Sequence, residues 1–172
     1  MSGGEDPLDL QKAFAFSDSI QLVDISFLET SIRYVAERSE GNLRVRREVA
    51  EVNWMVQDAK VSAAFQFTIW IDEVKGRSAP PAPLAVIEMT IRIRYKAKLP
   101  PDTVPDDLRH FVGFSGFLHV WPYARAEVQL LSTKIGLPPL TLPVVVSGAV
   151  PSLVNIRPRY TELPLSDRSD HP

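Results

Sequence analysis

Three histidines and one serine are the residues that most invite a chemical reading. His110, His119 and His171 are the whole imidazole supply, and cysteine is absent, which removes disulfides, thiolate catalysis and cysteine-ligated metal together. No two of the histidines have the spacing of a ligand pair, so zinc would need ligands the sequence does not offer. Ser115 stands four residues before His119 and can be drawn as a nucleophile with its base. Such a pair is defined by geometry and an orienting carboxylate, however, and nothing in the sequence supplies either. His119 opens an apolar helical run and reads as a packed or hydrogen-bonded side chain. The G-x-S-x-G elbow, the phosphate-binding loop and the G-x-G-x-x-G turn are all missing. The expectation is a protein that is not an enzyme and needs no cofactor or metal.

The cations come next. "RVRR" at 44–47 and "RIRYKAK" at 92–98 could form a phosphate-binding surface with Tyr95 as a stacking platform. In the second run the charges fall on every other residue, opposite an apolar set, as on a solvated strand face. The formal net charge of −2 gives no general attraction to phosphates. Nucleic acid is therefore not expected as a partner. The acidic pairs Asp72-Glu73 and Asp106-Asp107 read as strand-end and helix-start surface residues.

The elements that must position these residues are legible from periodicity. Val61, Ala63, Phe65, Phe67, Ile69 and Ile71 alternate with more polar residues, predicting a half-buried strand. Ala85, Ile87, Met89, Ile91, Ile93, Tyr95, Ala97 and Leu99 form one face of another, with Glu88, Thr90, Arg92, Arg94, Lys96 and Lys98 on the reverse. Residues 42–56 are valine-rich and precede the Val61 strand by the hairpin-like connection "QDAK". Residues 20–30 carry Val23, Ile25 and Phe27 at alternate positions. Residues 75–83, "KGRSAPPAP", read as a surface loop. Four strands before any convincing helix predict an antiparallel sheet.

A short helix is expected through "DDLRHFVGF", capped by Asp102 or Thr103 with Pro105 in its first turn. A longer one is expected from about 121 to 135, where Val120, Ala124, Val128, Leu131 and Ile135 share a face, Pro122 stands near the start and Gly136 marks the stop. Beyond it "GLPPLTLPVVV" (136–146) is too apolar for a solvated loop and too rich in proline for an ordinary strand. The chain divides into a mobile N-terminal segment (1–19), one α+β domain (20–156) and a polar tail (157–172). An acidic start without an apolar stretch, and no window of about 18 apolar residues, lead to the expectation of a cytoplasmic protein without stable membrane insertion.

Taken together, "VDISF" (23–27), "WPYARAEV" (121–128) and "GLPPLTLPVV" (136–145) resemble the SecB family of export chaperones. The family has a phenylalanine-Pro-Tyr-Ala-Arg-Glu helix followed by a glycine-aromatic-proline-leucine-proline crossover. Here Trp121 replaces the phenylalanine, Ala126 stands where glutamate is expected, and the acid follows as Glu127. The resemblance implies a four-stranded antiparallel sheet with helices packed on one face, assembled as a homotetramer that is a dimer of dimers. It implies an ATP-independent holdase whose crossover forms one wall of an apolar groove for unfolded polypeptides. Phe27, Tyr34, Trp54, Leu137, Leu140, Leu142 and Val145 would contact the client. Trp121, Tyr123, Val128 and Leu131 would position the long helix and the oligomer.

The chain departs from the family after the crossover. "SGAVPSLVNIRPRY" stands in place of the Asn-Phe-Asp-Ala-Leu-like segment found in members that work with the SecA motor. The resemblance therefore does not extend to docking on SecA, while the holdase it implies would serve protein export or the stabilisation of an antitoxin. Stabilisation of an antitoxin, the task of SecB-like chaperones in toxin–antitoxin systems, remains the attractive variant. The competing reading keeps the scaffold but makes it a non-chaperone binding or assembly domain dedicated to one partner or an apolar ligand.

Overall fold

The computed structural model describes residues 9–37, 42–57, 59–74, 82–99, 103, 105–145 and 159–160. Four long antiparallel strands, β1 (Ile20–Tyr34), β2 (Asn42–Gln57), β3 (Lys60–Val74) and β4 (Ala82–Ala97), lie in the order β1-β4-β3-β2. The loop 75–83 and the segment 146–156 fall mostly or wholly outside the described residues. A two-residue strand, β5 (Arg159–Tyr160), pairs in parallel with the outer edge of β2 at Asn53 and Trp54.

The alternation of β3 and β4 has a direct physical consequence. Val61 to Ile71 at odd positions are at most 1% exposed, and Ala85 to Ala97 at odd positions at most 2%. One face of the central strands is thus the core, and the reverse face carries polar residues between few apolar ones. The edge strands keep the same inward face only by bulging. In β2 the pairing slips between Val49 and Glu51, which returns Trp54 and Val56 to the side of Val45 and Val49 and explains why its alternation is irregular. In β1 it slips twice, between Leu22 and Asp24 and between Phe27 and Glu29. Ile20, Leu22, Ile25, Phe27, Ile32 and Tyr34 thereby all stand opposite core-facing residues of β4. The expected alternation of Val23 with Ile25 and Phe27 is corrected, since Val23 is the extra residue of the first bulge and is exposed.

The hairpin between β2 and β3 closes with Gln57 opposite Lys60, leaving two residues in the turn. Ala59 takes a φ of 58°, a left-handed conformation that costs an L-residue about 1–2 kcal/mol. Its carbonyl still accepts from Ala97 N–H at 2.7 Å. Ala59→Gly relieves that strain at some cost in unfolded-chain entropy and is expected to stabilise the protein by about 0.5–1 kcal/mol. A urea midpoint that moves down instead would contradict this account of the turn.

Helices cover the inward face. Asp9 caps α1 (Leu10–Phe14), its carboxylate accepting from Gln11 and Lys12 N–H at 2.8 and 3.4 Å. Within the segment expected to precede the domain, Ala13 and Phe16 are buried in the common core. The two expected helices form a continuous run: α2 (Pro105–Phe111) passes through a π-helical turn (Val112–Gly116) into α3 (Phe117–Lys134). The long helix therefore begins earlier than expected, and Pro122 lies inside it with its ring exposed. Gly116 shows why the turn sits where it does: a Cβ there would meet Phe65 Cζ at 2.9 Å, too close for any side chain against a fully buried ring. Val120, Ala124, Val128 and Leu131 face the sheet as their spacing requires.

Candidate functional site

The hydrogen-bond partner of His119 is Tyr95 and not Ser115. The imidazole Nδ1 shares a 2.9 Å hydrogen bond with the hydroxyl of Tyr95 on β4, and the two rings lie 5.9 Å apart. Ser115 sits in the π-helical turn. Burial pushes the Tyr95 phenol well above its ordinary pKa, and desolvation holds the His119 imidazole below its ordinary value. The hydrogen bond between the two side chains ties α3 to β4. His110, unlike His119, is buried, and its Nδ1 accepts from Asp9 N–H at 2.9 Å, tying the start of α1 to α2. Among the described residues no cluster of histidine and carboxylates could hold a metal ion.

The sign of the pH effect at His119 follows. Its folded pKa is lowered, so the unfolded chain binds the proton more readily. The associated stability is complete above the ordinary histidine value of 6.5 and is lost as pH falls through it. His119→Gln is expected to flatten the decline in urea midpoint between about pH 8 and about pH 5. An unchanged slope would show that the imidazole does not carry it.

The crossover is a strap fastened along α3. The helix ends at Gly136, whose φ of +78° suits glycine, with Leu137 N–H reaching Ser132 O and Gly136 N–H reaching Thr133 O, each at 3.0 Å. The buried Ser132 hydroxyl accepts from Leu140 N–H at 3.0 Å. Further on, Arg125 Nε donates to Leu142 O at 2.8 Å and Trp121 Nε1 to Pro143 O at 3.1 Å. These bonds orient the strap. Leu137 and Leu142 point inward and are 5% and 1% exposed, Leu140 and Val145 are half-buried, and Val144 is 72% exposed. Arg47 of β2 places its guanidinium 5.7 Å from the Trp121 ring centre, so strap, helix and β2 meet at this indole.

The residues expected to share one groove are thus distributed differently. Trp54, Leu137 and Leu142 are buried in the subunit's own core, and hydrogen bonds to Ser132, Arg125 and Trp121 hold the strap in that orientation. Among the described leucines and valines of the strap, Leu140, Val144 and Val145 remain accessible, beside the exposed Pro138, Pro139, Thr141 and Pro143. Phe27 and Tyr34 lie on β1, on the far side of the sheet from β2, about 14 Å away across three strand spacings. Their surface includes Leu22, which the sequence reading did not single out: Leu22, Phe27 and Tyr34 are 40–47% exposed on the helix-facing side of an edge strand, with Ile25 and Ile32 half-buried between them. The apolar spacing of β1 carries part of the signal: the step of three from Leu22 to Ile25 breaks the alternation at the first bulge. Trp121, Val128 and Leu131 are buried against the sheet, whereas Tyr123 is exposed. Leu130, seven residues on and so on the same side of the helix, is exposed as well.

The basic runs are largely engaged within the sheet. On the face away from the helices Arg46 forms a two-point ion pair with the buried Asp72 and lies 5.1 Å from the Trp70 ring centre. Arg94 pairs with Asp24 at 2.6 Å, and Arg92 donates to Ser26 at 3.3 Å. Pairing across strands satisfies cations that a linear reading leaves open.

A four-stranded antiparallel sheet with a broken helix packed on one face, and a proline-rich strap returning along that helix, defines the SecB-like fold. The SecB-like chaperone of Mycobacterium tuberculosis, in complex with a ChAD peptide from the HigA1 antitoxin, matches this chain with a TM-score of 0.64 and 19% identity, covering 79% of this chain and 98% of that one. A protein of unknown function from Streptococcus agalactiae matches with a TM-score of 0.31 and 11% identity, covering 73% and 97%. No protein-family model matches the sequence, and no curated protein does. Among the described residues no helix is long and apolar enough to cross a membrane.

Proposed function

We propose that the protein is an ATP-independent holdase that binds extended apolar segments of unfolded polypeptides, with an antitoxin as the favoured client. The observation that carries this reading is the β1 surface. Leu22, Phe27 and Tyr34 stand open on the helix-facing side of a strand that has no neighbour on its outer edge among the described residues, a combination suited to an extended chain presenting alternate apolar side chains. Leu140, Val144 and Val145 supply a second patch, and prolines at 138, 139 and 143 leave few strap N–H groups in need of partners. The M. tuberculosis chaperone of similar fold holds an antitoxin peptide, which supports this client class over export cargo.

Covering about 500 Å² of client apolar surface contributes on the order of 12 kcal/mol gross at roughly 25 cal/mol/Å², much of it offset by ordering the client. Separate patches suit a long chain held at several points, each contact exchangeable. The exposed side of α3 at Tyr123 and Leu130 is the surface on which further copies pack in the proposed homotetramer. Suppression of light scattering by a chemically denatured protein, at stoichiometric ratio and without nucleotide, tests the reading. Undiminished aggregation would reject it in favour of a binding domain dedicated to one partner.

A further inference from the structure

The sheet face away from the helices carries a concavity of about 640 Å³ at the end closed by the β2–β3 hairpin, a volume in the usual range of ligand sites. Its lining comes from all four strands. Val23 of β1 stands on one side, Met55 of β2 and Ala59 of the turn on the other, with Arg94 and Lys96 of β4 and Lys60 of β3 between them. The first bulge of β1 supplies the Val23 side: Val23 is its extra residue and is 62% exposed, as when a bulge re-aims a side chain.

The three cations are not alike. Arg94 is paired with Asp24 at 2.6 Å, whereas Lys60 and Lys96 stand directly opposite one another in the β3–β4 pairing and have no carboxylate partner among the described residues. Like charges in directly opposed positions repel, so a carboxylate seated between them is held by both.

The spacing of the lining says what else the ligand carries. In the order β1-β4-β3-β2, the midline between β4 and β3 lies one and a half strand spacings, about 7 Å, from β1 and from β2. An extended chain also advances about 7 Å for every two residues, which point the same way. A peptide crossing the strands therefore offers an acid to the two lysines when the residues two places before and after it reach Val23 and Met55. Lys60 and Lys96 lie one pleat nearer the hairpin than Ser62 and Arg94, the pair level with Met55, and long lysine side chains bridge such a step. A phosphate backbone would leave both apolar sides uncovered, and an acyl carboxylate would cover one.

We infer that this concavity binds an extended segment of a partner protein in which an aspartate or glutamate is flanked, two residues away on each side, by apolar residues. The surface lies on the opposite side of the sheet from the holdase patches, and the inference does not depend on them.

Methionine methyl NMR of the full-length protein tests it. Met1, Met55 and Met89 are the only methionines; Met55 lines the concavity, and Met89 is buried in the core of the same sheet. Titration with the peptide acetyl-Ser-Leu-Ser-Glu-Ser-Leu-Ser-amide is expected to shift the Met55 methyl and leave Met89 unmoved, and to do so equally in a Phe27→Asp, Tyr34→Asp variant. Replacing the peptide's glutamate by lysine, or moving its leucines to either side of the glutamate, is expected to weaken binding roughly tenfold or more. Lys60→Glu with Lys96→Glu is expected to weaken the glutamate peptide to the same extent and to restore binding of the lysine peptide. An unmoved Met55 methyl overturns the inference, as does equal binding of the two leucine spacings. Undiminished binding of the glutamate peptide by a lysine-reversed variant of native circular dichroism overturns it too. A Met55 signal that moves with protein concentration alone would assign the concavity to a second copy and overturn the partner peptide.

Discussion

Phe117→Ala is expected to destabilise the protein by about 3–5 kcal/mol, the range for removing a fully buried aromatic ring. Phe117 is the first residue of α3 and is completely buried. Its ring stacks on Trp121 at 5.2 Å between centroids and lies 6.5 Å from Phe65 and 6.3 Å from Phe67. It therefore joins the helix layer to the central strand just where Gly116 brings the backbone closest to the sheet. Collapse cannot refill the space, because the neighbouring rings are themselves fixed by the strand pleat and the π-helical turn. Since domains of this kind are stable by only about 5–15 kcal/mol, the loss consumes much of the total. The urea midpoint is expected to fall by more than about 1 M, taking the usual slope of about 1–3 kcal/mol/M. Phe117→Leu should lose appreciably less. A midpoint within experimental error of the parent would show that the aromatic cluster is not the seam between layers.

The second large effect is functional. Phe27→Asp combined with Tyr34→Asp is expected to abolish suppression of aggregation while leaving the protein folded. Each large apolar side chain buried by a client contributes about 1.5–3 kcal/mol, so losing two weakens binding by roughly a hundredfold or more. A carboxylate in the contact adds a desolvation cost. Both side chains are partly exposed on an edge strand, and substitutions at such sites move stability little. A parallel variant with Leu140→Asp and Val145→Asp reports on the strap patch. Leu142 is unsuitable as a probe: at 1% exposure, an aspartate there would unfold the strap before it touched a client. Full suppression by a folded, native-sized Phe27/Tyr34 variant would remove β1 as the client surface.

The contrast between Leu140 and Leu142 shows how far residue pattern reaches. Both belong to the same proline-broken stretch and look equivalent by composition, yet Leu142 fills the core and Leu140 only half does. Ser132, Arg125 and Trp121 settle the matter through hydrogen bonds spanning 8 to 22 residues, and no periodicity encodes bonds of that kind. His119 is a similar case. Its partner is a tyrosine 24 residues away on β4, and the nearby serine that a linear reading offers is not joined to its Nδ1. Arg46, drawn from a run that looks like a free basic patch, is committed to Asp72 across the strand pair.

By itself the sequence determined the inward faces of β3 and β4, the sheet-facing side of α3 from Val120 to Leu131, the stop at Gly136 and the α+β class. Each depends on steric rules acting over a few residues, where alternation or a three-to-four spacing leaves one arrangement that buries the apolar set. Only the tertiary structure decided that β1 lies beside β4 and that the strap takes Leu137 and Leu142 for the core. Those outcomes are set by register and by contacts between distant segments. Their free energies arise only once the layers have met, so no local pattern in the chain records them.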